Sequence, residues 1–170
     1  MIETSHLILR PIQKNDTDRL HEMYCNPAVM KYIYDGNTFT KEKTIERVDE
    51  CLLHWKNNGF GVYMLIEKST QLTAGYCVLR YFVNEHPYLD GEIEIGYILD
   101  EPFWGKGYAT EAVRACIQHG FEKHYFKKIL ATILPDNIAS QKVVEKAGMI
   151  FTRDLPIHNL IHRIYEIKRT

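Results

Sequence analysis

The stretch from Glu92 to Phe121 constrains this chain most. It opens with a strand-like run of nearly strict alternation, Glu92-Ile93-Glu94-Ile95-Gly96-Tyr97-Ile98-Leu99, and passes through Pro102-Phe103 into Trp104-Gly105-Lys106-Gly107-Tyr108-Ala109-Thr110. A helix follows, carrying Ala112, Val113, Cys116, Ile117 and Phe121 on its apolar stripe. Strand, glycine loop and helix form one α/β unit, so a sheet must have a helix packed on it here. Gly105 and Gly107 remove side chains where a ligand can approach backbone. The helix starting at Ala109 or Thr110 turns its free N–H groups and positive dipole end toward the loop. With Lys106 adding a charge, a phosphate or pyrophosphate is the natural ligand, and a strand-to-helix turn without a ligand is the plain alternative. Two nucleotide motifs fail here. A Walker loop needs Lys followed by Ser or Thr after its last glycine, and a dinucleotide fingerprint needs a third glycine where this chain has Thr110.

The rest of the chain supplies elements around that unit. Leu7 to Ile12 predicts a short strand that stops near Pro11, and a helix capped by Asn15 or Asp16 runs through Leu20, Met23 and Tyr24 to end at Asn26-Pro27. Thr40 caps a second helix with Ile45, Val48, Leu52 and Trp55 on one face, stopping at Asn57-Asn58-Gly59. Gly61 to Glu67 and Thr73 to Phe82 read as a hairpin, and Val83 to Asp90 as a loop. Lys128 to Leu134 is a further strand, Asn137 to Ala147 a helix ended by Gly148, and Met149 to Arg153 and His162 to Ile167 two terminal strands. The fold class is therefore α/β, a mixed sheet with helices on its faces.

At 170 residues the chain is expected to form one domain, residues 1–170. Its 21 Lys plus Arg against 22 Asp plus Glu give a formal net charge of −1, which argues against general nucleic-acid binding. The N-terminus lacks a basic, then apolar leader, and nothing approaches the ~18 apolar residues of a membrane span, so the expectation is a cytoplasmic protein without membrane association. The four cysteines, Cys25, Cys51, Cys77 and Cys116, form no C-x-x-C pair and read as reduced packing thiols. His158 and His162 lack the companions of a metal motif, so no metal is expected, and His119 and His124 read as exposed.

The glycine loop Trp104 to Ala112 resembles the acetyl-CoA pyrophosphate loop of the GCN5-related N-acetyltransferases (GNAT), in the form used by the branch with the ribosomal-protein N-terminal (RimJ/RimL-like) acetyltransferases. Leu9-Arg10-Pro11, Asn26-Pro27-Ala28-Val29-Met30, Glu94-Ile95-Gly96-Tyr97, Asn137-Ile138-Ala139-Ser140 and Lys146-Ala147-Gly148-Met149 resemble the same branch, in its order. Trp104 departs from the Gln or Arg that opens this loop in the wider family, but tryptophan is common in the branch. The resemblance implies a splayed central sheet with helices on both faces and acetyl-CoA as co-substrate. It implies that the pantetheine arm pairs with backbone near Tyr97, Ile98 and Leu99, and that the amides of Gly105, Lys106, Gly107, Tyr108, Ala109 and Thr110, beside Trp104, hold the pyrophosphate. Asn137 resembles the family asparagine that contacts the cofactor; helix capping is its other reading.

The resemblance further implies direct attack by an amine on the thioester, with no metal and no acyl-enzyme. Such a reaction needs a neutral amine, donors for the oxyanion and a proton for the thiolate. Glu94, on the polar face of its strand opposite Ile93, Ile95, Tyr97 and Leu99, is the candidate base, with Glu92 its rival two residues earlier. The last helix lacks the tyrosine acid of many family members; Ser140 takes that place by resemblance, with a cap or a CoA contact as alternative roles. Tyr32, Tyr34, Phe39 and Tyr81 lie where the family builds its acceptor pocket. The expected function is an acetyl-CoA-dependent N-acetyltransferase, a monomer or homodimer, acting on a protein N-terminal amine such as that of a ribosomal protein. The alternatives are a small-molecule or polyamine acceptor, or a catalytically silent acyl-CoA-binding module.

Overall fold

The computed structural model of the chain describes residues 1–82 and 86–169. The loop expected from Val83 to Asp90 lies partly outside them. Eight strands form one sheet in the order β1-β2-β3-β4-β5-β6-β8-β7, with β1 Ile2–Glu3, β2 Leu7–Pro11, β3 Val62–Glu67, β4 Thr73–Tyr81, β5 Ile93–Leu99, β6 Lys128–Ile133, β7 Ile150–Ile157 and β8 Leu160–Lys168. Every neighbouring pair is antiparallel except β5 and β6, which are parallel and share a single register, Glu94 against Leu130. The helices are α1 Thr17–Tyr24, α2 Pro27–Met30, α3 Lys41–Asn58, α4 Tyr108–Lys123 and α5 Ile138–Lys146. No helix among the described residues is long and apolar enough to cross a membrane.

The sheet is covered on both faces. On one, α4 sets Ala112, Val113, Cys116 and Ile117 against Leu9, Tyr63, Leu65, Cys77, Leu79 and Ile95. On the other, α1 to α3 set Leu20, Met23, Val48 and Cys51 against Val62, Met64, Tyr76, Val78 and Ile98. This second layer covers the polar face of β5, so that Glu94 is only 8% exposed. The α3 stripe is rotated from the predicted one. Thr44, Val48 and Cys51 are buried while Ile45 reaches solvent. Of the cysteines, Cys51, Cys77 and Cys116 are buried as expected for packing thiols, whereas Cys25 is exposed.

Several boundaries follow from local chemistry. Thr40 accepts the N–H of Lys43 to start α3, and Gly59 ends it in the left-handed region. Asp16 does not cap α1 through its side chain; both carboxylate oxygens take Arg10 guanidinium bonds at 2.6 and 2.8 Å. Asn26 accepts from the Ala28 N–H and, with Pro27 first in the helix, starts α2 where a stop was expected. The terminal strands are longer than predicted and meet in a two-residue turn, His158-Asn159, with φ of 49° and 64°. Both residues are left-handed, the geometry that joins twisted strands, although neither is glycine.

Candidate active site

The glycine loop is fixed from behind. Asp100 accepts the Glu101 N–H and pairs with Arg19, and the Trp104 indole Nε1 donates to the Leu99 carbonyl at 2.8 Å. Gly105 and Gly107 have φ of 74° and 82°, and a Cβ built on either would meet nothing within 4 Å. The backbone conformation, rather than crowding within the chain, demands glycine, and the space in front of both stays open. Gly107 caps α4 without a side-chain bond, so the first N–H groups of the helix open onto that space. Lys106 is less available to an anion than the sequence suggests. Its Nζ lies 3.3 Å from Glu67 Oε1, which also accepts the Tyr108 hydroxyl at 2.6 Å. Hydrogen bonds from Thr70 and Tyr108 hold the Glu67 carboxyl at about 2, so a carboxylate already answers the lysine. Backbone amides and the dipole end of α4 are left to attract an anion.

Beside the loop the sheet splits. The Phe82 N–H bonds the Glu92 carbonyl and the Asp100 N–H bonds the Ala74 carbonyl. By alternation, Glu94, Gly96 and Ile98 also spend their backbone groups on β4, while Ile95, Tyr97 and Leu99 turn theirs toward β6. Past Glu94 and Leu130 no further rung joins β5 to β6. The gap is therefore faced by the N–H and C=O of Tyr97 and the N–H of Leu99, since the Leu99 carbonyl holds the Trp104 indole. Ile98, expected among the pantetheine contacts, spends its backbone groups on β4, and its side chain packs in the core under α3 while also lining the cleft beside Tyr97.

A cleft of about 750 Å³ runs from this gap to the α3 side of the sheet, lined by Tyr97, Asn137 and Ser140 at one end and Tyr32, Tyr34 and Phe39 at the other. Glu94 lies between. Its Oε2 accepts Arg80 Nε at 2.6 Å and its Oε1 accepts the Thr132 hydroxyl at 3.0 Å, which leaves a second lone pair on each oxygen. Glu92 is elsewhere, bonded to Lys128 Nζ at 2.7 Å in a shallow groove that it shares with Tyr81. Tyr81 is thus corrected as an acceptor residue. It follows Arg80 by one position, so the strand's period of two sends it to the opposite face, against Phe60 and His54.

Asn137 caps α5 through its side-chain oxygen, which accepts the Ser140 N–H at 3.1 Å. Ser140 is the third helical residue and not the cap, and its carbonyl accepts the Tyr97 hydroxyl at 3.1 Å, tying α5 to β5. Burial pushes the Tyr97 phenol well up. His119 and His124 are not exposed. They are half-buried in an aromatic cluster with Phe60, Tyr63 and Phe126, and desolvation lowers both pKa values. Among the described residues no group of three or more His, Cys, Asp or Glu could hold a metal ion.

Sequence reasoning missed Arg80, Thr132, Arg47 and the Tyr24–Tyr76 hydroxyl pair at 3.1 Å, all of them on the cleft wall or floor. Arg80 had a readable signal. The register that pairs Tyr76 with Ile98 also sets Arg80 directly across from Glu94.

Residues 6–150 match the acetyltransferase (GNAT) domain family. The chain is 32% identical over 150 residues to the uncharacterized N-acetyltransferase YnaD of Bacillus subtilis (strain 168), covering 87% of this chain and 81% of that protein. Its fold matches that of a GNAT-family acetyltransferase from Bacillus anthracis with a TM-score of 0.80 and 29% identity, over 98% and 97% of the two chains. It also matches RimL, a ribosomal L7/L12 alpha-N-protein acetyltransferase solved with coenzyme A, with a TM-score of 0.81 over 97% and 95% of the chains; at 19% identity that likeness shows a shared fold.

Proposed function

The chain belongs to the GNAT acetyltransferase family and is an N-acetyltransferase that uses acetyl-CoA; we propose that it transfers the acetyl group directly to a primary amine held in the cleft beside Glu94. The observation that carries this reading is Glu94 at the last rung joining β5 and β6, where the open gap meets the acceptor end of the cleft. In it, the amides of Gly105 to Thr110 hold the pyrophosphate of acetyl-CoA, and the gap-facing groups of Tyr97 and Leu99 bond the pantetheine amides. Asn137 and Ser140 flank the thioester. The whole chain, 1–170, acts as one unit because one sheet takes in all eight strands and the helices pack on its two faces.

Glu94 accepts a proton from the ammonium form of the acceptor, directly or through water. The nitrogen lone pair then forms the C–N bond, the C–S bond breaks with its electron pair on sulfur, and the second proton leaving the nitrogen passes to the thiolate through the Ser140 hydroxyl, which donates one proton as it accepts the other. The products are an N-acetyl amide, CoA thiol and the proton taken from the ammonium. Arg80 and Thr132 fix the orientation of the carboxylate. A peptide N-terminus and a small amine both meet these requirements.

The test is thiol release from acetyl-CoA on adding primary amines, alongside calorimetric titration with acetyl-CoA. Release with at least one amine supports the reading. Tight binding with no release for any peptide or small amine would make the chain a silent acyl-CoA-binding module.

A further inference from the structure

The acceptor end of the cleft carries charged residues that the chemistry at Glu94 does not use, Lys43 and Arg47 among its cations and Asp35, Glu46 and Glu50 among its carboxylates. Arg47, on the inner side of α3, lines the cleft with its side chain 23% exposed, and its one ion pair among the described residues is with Glu50 at 2.9 Å, a neighbour on the same helix that is 66% exposed. An exposed i,i+3 pair of this kind is worth little, so most of the guanidinium's five donors remain to be answered. The surroundings are aromatic: Arg47 Cζ sits 5.6 Å from the Tyr34 ring centre, and Tyr34 stacks on Phe39 at 5.4 Å. Tyr34 is held there at φ 51°, a left-handed conformation that a bulky side chain adopts only under constraint from its surroundings. The charges of Arg47, Arg80 and Glu94 all act on the Tyr34 phenol, so the ring stands among two guanidinium groups and a carboxylate.

We propose that the acceptor is a small amino acid-type molecule with an apolar or aromatic body, whose amine reaches Glu94 while its carboxylate is held by the Arg47 guanidinium against Tyr34. This rests on the reading of the cleft as the N-acetyltransferase site and narrows its substrate class. A planar guanidinium matches a carboxylate in two-point fashion, and aromatic walls suit an apolar body. The transfer balances as before: the amino nitrogen gains the acetyl group, sulfur leaves with its electron pair, and the carboxylate is unchanged.

The experiment measures thiol release from acetyl-CoA with phenylalanine, phenylalaninamide and phenethylamine, with the corresponding leucine series, with a short N-terminally free peptide amide and with spermidine. The wild-type chain is expected to give kcat/KM about 10- to 100-fold higher for the free amino acids than for their amides or decarboxylated amines, the range of one charge-assisted contact. Arg47→Gln should abolish that ratio by lowering kcat/KM for the free amino acids toward that of the carboxylate-free amines, while unchanged calorimetric affinity for acetyl-CoA shows that the variant folds. Arg47→Lys should restore part of it. Equal activity on all three members of each series, a ratio that survives in Arg47→Gln, or a clear preference for the peptide or spermidine overturns the proposal and leaves the acetyltransferase reading intact. Absence of thiol release with every amine tested overturns both.

Discussion

Arg80 Nε lies 2.6 Å from Glu94 Oε2, and the two residues are direct partners across the β4–β5 ladder. A candidate base is thus held by the neighbouring strand rather than by a loop, and its aim is set by the sheet itself. Glu94→Gln should lower turnover by ~100-fold or more and leave acetyl-CoA affinity unchanged, as loss of a proton acceptor does. Glu92→Gln, whose carboxylate is engaged with Lys128 outside the cleft, should keep near-normal turnover. Steady-state kinetics on the two variants decide between them, and the reverse pattern would move the base to Glu92.

Gly107→Ala should raise the acetyl-CoA dissociation constant by tenfold or more. The added methyl meets no atom of the chain but enters the space in front of the α4 amides, and φ of 82° strains any L side chain, at a cost of roughly 1–2 kcal/mol. Gly91 provides the control, since its φ is 77° and its surroundings are also open, yet it stands before β5 and away from the loop. Gly91→Ala should show similar strain in thermal melts with unchanged affinity by calorimetry.

Ser140 and Asn137 separate cleanly. Because Asn137 is the cap, Asn137→Ala should cost about 1 kcal/mol of stability. Ser140→Ala should melt near the wild-type temperature and lose turnover with little change in the Michaelis constant for acetyl-CoA, if its hydroxyl serves the departing thiolate. A rise in that constant at unchanged turnover would make it a ground-state contact instead.

Glu67 gives a pH dependence. Its folded carboxyl titrates at about 2, below its ordinary 4.5, so between those values the unfolded chain binds a proton that the folded chain does not. Its contribution is present above about 4.5 and is lost as the pH falls toward 2. Melting temperatures followed from pH 5 to pH 2 should therefore fall less steeply in Glu67→Gln than in the wild type.

Much of this site was legible in the sequence because glycine and proline placement, helix caps and period-two alternation are local signals. The loop from Trp104 to Thr110 and the start of α4 needed nothing else. Alternation tells which residues share a face but not what covers it. It puts Glu94 on the polar face of its strand and says nothing of α1 to α3, which pack above Val78 and Ile98 on that face. Tyr81 and Tyr34 looked equivalent as aromatic residues, and only the sheet register sends Tyr81 to the far side. The His158-Asn159 turn escaped notice because residues that tolerate a left-handed backbone were not the glycines that usually announce it.

The single rung between β5 and β6 makes the eight strands two mechanical halves, β1 to β5 and β6 to β8 with β7, stitched at Glu94 and Leu130. A molecule that bonds the gap-facing groups of Tyr97 and Leu99 bridges what the polypeptide leaves unsewn, and so becomes part of the scaffold as well as its cargo. The halves should then be hardest to pull apart when the gap is filled. Resistance to unfolding should rise with the logarithm of acetyl-CoA concentration and fall back when the thioester is washed away.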